Sequence, residues 1–328
     1  MSPTTTSGGP STPTGPRGAS ADSSGRARDP LDLRHRVRPG EAAIVGLLRL
    51  SALLSIAITI GIVVSLVGPA MQFFREVPVL DFLTGTAWRP TFGDPAFGVL
   101  PLVGGTLMTT AVGLAVAVPF GLGAAMYLSE YASAGLRRKL KPVLELLAGV
   151  PSVVYGFFAL TFVTPVVLQG WLGMKVGFTN ALAAGVVLGV MIIPTVASLS
   201  EDAMSAVPDS LRQGSMAMGA NRMQTTLRVV LPAATSGIAG AIVLGLSRAV
   251  GETMIVALAA GSQPNLSLDV REGMQTMTGF IAATASGESP VGSLAYNTLF
   301  AVGLLLFVIT LVINMISIAL VRRLREEY

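Results

Sequence analysis

The chain lacks cysteine and has a single histidine, His35, among its 328 residues. Without cysteine it forms no disulfides and no thiolate metal sites. Because His35 lies in a polar stretch near the amino terminus, a histidine-based triad or an imidazole metal cluster within a membrane is excluded. None of the three lysines precedes Ser or Thr, so the nucleotide-binding loop G-x-x-x-x-G-K-[ST] is also missing. If ATP drives this protein, another subunit binds the nucleotide.

Charge is scarce as well, at 12% of residues, whereas 52% are apolar. Several apolar runs reach the ~20 residues that a membrane-spanning helix needs. The sequence therefore predicts an all-α polytopic membrane protein with six transmembrane helices. The predicted spans are Ile44–Val67, Val99–Leu128, Val143–Leu168, Asn180–Leu199, Thr235–Gly261 and Thr298–Val321.

Lysine and arginine are divided unevenly between the predicted loops, with 16 on the side of the two termini and four on the other. Cytoplasmic segments carry this excess in membrane proteins. We therefore expect a multi-pass protein of the bacterial cytoplasmic membrane with both termini in the cytoplasm.

The predicted organisation follows from these spans. Residues 1–29 are rich in Ser, Thr, Pro and Gly and cannot bury enough apolar surface to offset ordering, so we expect a disordered cytoplasmic tail over residues 1–43. The remaining parts are the first transmembrane helix (44–67), an external segment (68–98), a core of five transmembrane helices (99–321) with a cytoplasmic loop (201–234), and a cytoplasmic carboxyl terminus (322–328).

Two charges, Arg248 and Glu252, lie near the middle of the fifth predicted span. A charge at bilayer mid-depth costs roughly 2.5–3.5 kcal/mol and usually faces protein or an aqueous path. Four residues apart on a continuous helix, the two share a face on which Ala241, Gly245 and Ala259 allow close packing. Two interpretations stay open: the pair neutralises itself and pins the helix, or Arg248 offers its planar donors to an anion on a transport path.

The loop between spans four and five predicts two short helices with a sharp bend. Asp209 suits the start of the first helix, Gly219 suits a left-handed residue that closes it, and Asn221 suits the cap of the second. Four methionines predict a soft apolar surface for a protein partner, namely Met204, Met216, Met218 and Met223. The alternative is an amphipathic connector on the lipid headgroups.

The same loop resembles the E-A-A-x-x-x-G-x9-I-x-L-P coupling loop of bacterial ABC-importer permeases. The match runs from Gln213 to Gly219 and, after nine residues, from Val229 to Pro232, although Gln-Gly-Ser replaces Glu-Ala-Ala. The resemblance implies that this loop docks on an ATPase. The residues it assigns to coupling are Gln213, Met216, Ala217, Gly219, Leu231 and Pro232.

A second motif, Arg248-Ala-Val-Gly-Glu-Thr-Met254, resembles the R-A-x-G-E-T-M signature of the phosphate permeases of the PstC family. The segments Tyr127–Tyr131, Leu146–Gly156 and Ile193–Met204 are similar to that family too. The resemblance implies the type I ABC importer (MetI-like) permease fold, phosphate import, and a substrate path that includes Arg248 and Glu252.

The resemblance further implies a four-part importer. Its other members are a sister permease (PstA-like), an ATPase dimer that binds ATP and Mg (PstB-like) and an extracytoplasmic phosphate-binding protein (PstS-like). This chain is then a transport subunit, not an enzyme, and binds no cofactor or metal itself. Two alternatives stay open: a permease for another oxyanion such as sulfate or molybdate, and an ion-coupled carrier or channel that needs no ATPase.

Overall fold

The computed structural model describes residues 39–91, 94–287, 290 and 292–323. Nearly all of the predicted tail, residues 1–43, lies outside these residues, as do residues 324–328 of the predicted carboxyl-terminal segment. The chain divides into two units, residues 1–56 and 57–328. The described part of the first unit is the beginning of a long apolar helix, and its side chains are exposed from Ala43 onward.

The described chain is mostly helical. The long helices are α1 (Pro39–Glu76), α3 (Leu100–Met126), α6 (Ala181–Ser205), α10 (Thr235–Gly251) and α13 (Leu294–Arg323). The shorter helices are α2 (Val79–Thr84), α4 (Ala134–Ala148), α5 (Ser152–Phe158), α7 (Asp209–Ala217), α8 (Arg222–Thr225), α9 (Leu231–Ala233), α11 (Met254–Ala259) and α12 (Met277–Ala285). Three π-helical segments continue α3, α5 and α8, namely π1 (Tyr127–Tyr131), π2 (Ala159–Trp171) and π3 (Thr226–Val230). Strands β1 (Trp88–Arg89) and β2 (Ala96–Phe97) pair antiparallel, with Trp88 opposite Phe97.

Within the described chain, five stretches are long and apolar enough to cross a membrane: Ala43–Glu76, Leu100–Tyr131, Ser152–Trp171, Ala181–Ser205 and Leu294–Arg323. A sixth results if Arg222–Ala233 and Thr235–Gly251, which meet at 72°, count as one bent span. This confirms the all-α fold with its apolar spans.

The predicted third span, Val143–Leu168, is wrong at its beginning. Helix α4 ends at Ala148 and the next helix begins only at Ser152, after Pro151, whose backbone is extended. Gly149 caps the end of α4, and Pro151 disfavours helical backbone in the residue before it, so the two residues together interrupt the helix at this point. Two further bounds also differ, since α1 continues to Glu76 and α6 to Ser205, five residues into the predicted loop 201–234.

Helices α3 and α6 form the closest pair in the core of the second unit. A Cβ atom on Gly185 would lie 2.5 Å from the Cβ of Val112, and one on Gly189 would lie 2.6 Å from the carbonyl oxygen of Gly113. Small residues let two helix backbones approach in this way. Gly185 and Gly189 therefore serve close helix packing.

The two ends of the bundle carry different structures. Helices α4, α7, α8 and α9 lie at one end, called the loop end below. At the opposite end, an aromatic cluster joins the β1–β2 hairpin to α12, with Trp88 edge-on to Phe280 at 4.9 Å and to Phe82 at 6.2 Å between ring centroids. Such edge-to-face contacts add to the area that the rings bury.

Gly189→Ala tests the close approach of α3 and α6. The added methyl group has no room beside Gly113, so we expect a loss of about 1–3 kcal/mol in the free energy of unfolding, typical of overpacking. Gly123→Ala is the matched control, because no heavy atom lies within 4 Å of a Cβ at that α3 position. The measurement is unfolding of the purified protein in detergent, and equal stability of the two variants would contradict the packing described.

Candidate functional site

Arg248 lies near the end of α10, where small residues bring that helix against α6. A Cβ on Gly245 would meet the side chains of Ile192 and Val196 at 3.1 and 3.2 Å. Ala241 is buried one turn before Gly245. The close packing predicted for this face is therefore present. Roughly 20 Å of helix separates Arg248 from the start of α10 at the loop end.

The half-buried Arg248 guanidinium donates a hydrogen bond from Nη1 to Thr195 Oγ1 of α6 at 3.1 Å. Within the described part of the chain this is its one hydrogen bond to protein. A neutral hydroxyl does not cancel the positive charge, and a guanidinium carries five donors in a planar fork. The geometry therefore leaves most of the fork available to an anion.

Glu252 does not continue the helix that carries Arg248, so the predicted continuous span Thr235–Gly261 and its four-residue pairing are wrong. Helix α10 ends at Gly251, and Glu252 adopts extended backbone. Its Oε1 accepts hydrogen bonds from the backbone N–H groups of Met254 and Ile255 at 3.0 and 3.4 Å. The described residues contain no ion pair between Arg248 and Glu252.

Two favourable contacts hold this break in place. A carboxylate at a helix amino terminus satisfies N–H groups that have no partner within the helix, and it complements the helix dipole. From the other side, Thr278 of α12 donates a hydrogen bond from Oγ1 to the carbonyl oxygen of Glu252 at 2.7 Å. The Glu252 carboxylate is thus committed to α11, which leaves Arg248 without it as a counter-ion.

Sequence reasoning missed two polar partners of this region, Thr195 and Asn314. Asn314 of α13 accepts a hydrogen bond from Ser247, the neighbour of Arg248, at 2.7 Å. Asn314 is exposed on an otherwise apolar helix. A polar amide within an apolar run was the available signal, because such side chains mark helix interfaces or aqueous paths in membrane proteins. Thr195 gave no such signal.

The loop end contains the two predicted short helices and the bend between them. Gly219, with φ of 90°, closes α7 in the left-handed region that favours glycine. Asn221 and Gln224 form a reciprocal capping box at the start of α8. The buried hydroxyls of Ser215 and Thr225 then join α7 to α8 at 3.0 Å.

The predicted methionine surface is present except for one member. Met216, Met218 and Met223 are 50, 87 and 62% exposed, whereas Met204 is fully buried beneath the loop. Met204 lies on the last turns of α6, so it packs inward, and the prediction that it belongs to the surface is wrong. The other predicted coupling residues are placed as follows: Gln213, Ala217 and Pro232 are exposed and Leu231 is half-buried.

At the opposite end, residues 262–276 fold back over the start of α6. Backbone hydrogen bonds from Gly177 to Arg271 and from Ala181 to Glu272 measure 3.1 and 3.0 Å. Hydrogen bonds from the Arg271 guanidinium at 2.6–3.1 Å lower the pKa of Asp269 to about 2. The result is a polar, charged rim at this end. Among the described residues, no group of three His, Cys, Asp or Glu is arranged to hold a metal.

Comparisons with known proteins agree with this architecture. Residues 117–326 match the family described as binding-protein-dependent transport system inner membrane component. Over 279 residues, the chain is 39% identical to the probable ABC transporter permease protein YqgH of Bacillus subtilis, covering 84% of this chain and 88% of that protein. It is also 37% identical to the phosphate transport system permease protein PstC 1 of Mycobacterium tuberculosis, covering 74% of this chain and 82% of the relative.

Solved structures show a similar fold. One chain of a bacterial alginate ABC transporter, crystallised with an alginate-bound periplasmic protein, superimposes with a TM-score of 0.62 at 17% identity, covering 87% of this chain and 96% of that one. A chain of the inward-facing MetNI methionine ABC transporter gives a TM-score of 0.51 at 23% identity, covering 70% of this chain and 95% of that one. The expected MetI-like importer fold is confirmed.

Replacing Glu252 separates its capping role from pairing with Arg248. Glu252→Ala removes the acceptor at the start of α11, and we expect a loss of about 0.5–2 kcal/mol in the free energy of unfolding. Glu252→Gln keeps an oxygen acceptor and loses less. Combining Glu252→Gln with Arg248→Gln gives additive losses if the two side chains act independently. If the loss in the double variant differed strongly from the sum of the two single losses, the side chains would interact as an ion pair, which would contradict the helix break after Gly251.

Proposed function

Because this chain belongs to the family of inner membrane components of binding-protein-dependent transport systems, we propose that it is the permease subunit through which an ATP-driven importer carries inorganic phosphate. Several relatives at 30–37% identity are phosphate transport system permease proteins, and they support phosphate as the substrate. The chain itself acts as a transport subunit.

The observation that carries this proposal is the guanidinium of Arg248, held by the neutral hydroxyl of Thr195 at 3.1 Å. An arginine is a good partner for phosphate because its planar fork donates to two oxygens at once. With the Glu252 carboxylate capping α11, the positive charge of Arg248 stays available. As phosphate passes the α10–α11 break, the N–H donors of the Arg248 guanidinium replace some of the water molecules bound to its oxygens.

Energy for transport comes from an ATPase that docks on the loop end. The exposed Met216, Met218 and Met223 give α7 and α8 an adaptable apolar surface, and Gly219 sets the angle between the two helices. ATP and Mg are bound by that partner subunit. Together with a sister permease (PstA-like), the chain forms the pore.

The loop end faces the cytoplasm in this proposal, as do both termini. The excess of lysine and arginine on that side supports this orientation. The charged rim around Asp269 and Arg271 then faces outward, where an extracytoplasmic phosphate-binding protein (PstS-like) delivers the substrate.

Arg248→Gln tests the substrate path. We expect the variant to assemble with its partner subunits and to lose ATP-dependent uptake of radiolabelled phosphate into proteoliposomes, because it lacks the guanidinium fork. Arg248→Lys should transport poorly, since a point ammonium does not reproduce bidentate donors. Arg49→Gln is the control, because it removes one exposed charge from α1.

Near-normal uptake by Arg248→Gln would contradict the path assignment. Competition by sulfate and molybdate in the same vesicles measures selectivity. Stronger competition by either oxyanion than by phosphate would reassign the substrate within the importer class, and uptake without ATP would indicate a carrier.

Gly219→Ala tests the docking bend. Alanine at φ of 90° is strained by about 1–2 kcal/mol, so the two short helices change their angle and we expect weaker co-purification of the ATPase. Gly173→Ala is the matched control, because Gly173 also has positive φ, at 60°, and open surroundings but lies at the opposite end. If both variants retained the ATPase equally, the loop would be a passive connector.

A further inference from the structure

Both short helices of the loop between α6 and α10, α7 and α8, contact the segment that continues α3. The segment concerned is π1, Tyr127–Tyr131, which directly continues α3. Arg212 of α7 forms an ion pair from Nη2 to Glu130 Oε1 of π1 at 3.0 Å, and the two side chains are 15 and 7% exposed. Arg222 of α8 places its guanidinium 5.3 Å from the ring centroid of Tyr131. Each short helix therefore contacts the same five-residue segment through an arginine.

Arg212 also ties the loop to α6. Its guanidinium donates hydrogen bonds to the carbonyl oxygens of Met204, at 2.7 Å, and of Val207, and it forms an ion pair with Asp209 at 3.2 Å. One side chain thus connects the end of α6, the start of α7 and the end of α3. Because the Ser215–Thr225 contact joins α7 to α8, we expect these two helices to move together.

The Arg212 contacts connect the loop to α3 and to α6, the helix that carries the partner of Arg248. Helix α3 packs against α6 along the whole glycine-lined contact, and α6 carries Thr195, the partner of Arg248. π-helical segments are rare and frequently occur at functional sites. Because Arg212 is bonded both to π1 and to the end of α6, a displacement of the loop can move the ends of α3 and α6 together.

We propose that the Arg212–Glu130 ion pair, supported by the Arg222–Tyr131 contact, is the joint that transmits movement of the ATPase-docking loop to α3. Arg212 and Glu130 are positioning residues in this assignment, since neither touches the substrate path. The inference rests on the proposed function, because it requires an ATPase on the loop.

Another buried carboxylate at the loop end supplies the comparison. Glu201 of α6 is paired with Arg137 and Lys141 of α4, and Lys141 Nζ lies 2.8 Å from both Glu201 and Asp202. These bonds join α4 to α6 and contact neither α7 nor α8. Loss of Lys141 therefore removes an ion pair of similar geometry from the same end while leaving the loop attached to π1.

The experiment uses the complete complex in proteoliposomes with its binding protein and inorganic phosphate. The variants are Glu130→Gln and Arg212→Met, with Lys141→Met as the control. We expect the first two to keep the ATPase and its unstimulated ATP hydrolysis. Stimulation of hydrolysis by the phosphate-loaded binding protein should fall by roughly 5- to 150-fold, the range of typical couplings between two sites. Lys141→Met should be stimulated like the wild type.

Arg222→Gln is a second test variant in case Glu130→Gln or Arg212→Met does not fold. Both Arg222 and Tyr131 are exposed, and the substitution removes only the contact with the Tyr131 ring. We expect it to reduce stimulation while thermal stability is unchanged. Full stimulation in Glu130→Gln and Arg222→Gln would overturn the joint while leaving the proposed function intact. Loss of ATPase binding in Glu130→Gln would also overturn it, since the pair would then be a docking scaffold. A wild-type complex that takes up no phosphate overturns the proposed function and the joint with it.

Discussion

A positive charge that has no ion-pair partner among the residues described, inside an apolar bundle, is the constraint on which this structure depends. Arg248 costs free energy wherever lipid surrounds it, so its helix has to face protein or water. The break after Gly251 turns the Glu252 carboxylate toward the first N–H groups of α11. The guanidinium then rests on the hydroxyl of Thr195. A site that keeps its charge in this way suits a passing oxyanion better than a closed salt bridge does.

The two ends of the bundle serve this site in different ways. At the loop end, Gly219 and Asn221 shape two short helices whose methionines form an exposed apolar surface. Buried ion pairs at Glu130 and Glu201 fasten that end to α3 and α6. Between the ends, α3 and α6 pack through glycines that leave no room for a side chain. A rigid pair of helices can carry a small displacement over a long distance because a close-packed interior transmits strain.

Features that depend on neighbouring residues could be predicted from the sequence, whereas features that depend on the packing of distant segments could not. Apolar runs predict the spans, and Gly219 and Asn221 predict the bend, because backbone conformation and capping depend on neighbouring residues. The break at Glu252 was missed because the apolar pattern continues through it and because Thr278, distant in sequence, holds its carbonyl. The burial of Met204 and the Arg248–Thr195 contact likewise depend on which helices pack together.

The most direct test of the central claim uses the absence of cysteine from the chain. A single cysteine introduced as Thr195→Cys in the assembled complex can be labelled with a membrane-impermeant thiol reagent. If Arg248 faces an aqueous path, we expect the reagent to modify this cysteine and phosphate to slow the modification, with ATP changing its rate. Modification only by a lipid-soluble reagent, unaffected by phosphate or ATP, would place this pair of residues away from any path and contradict the account.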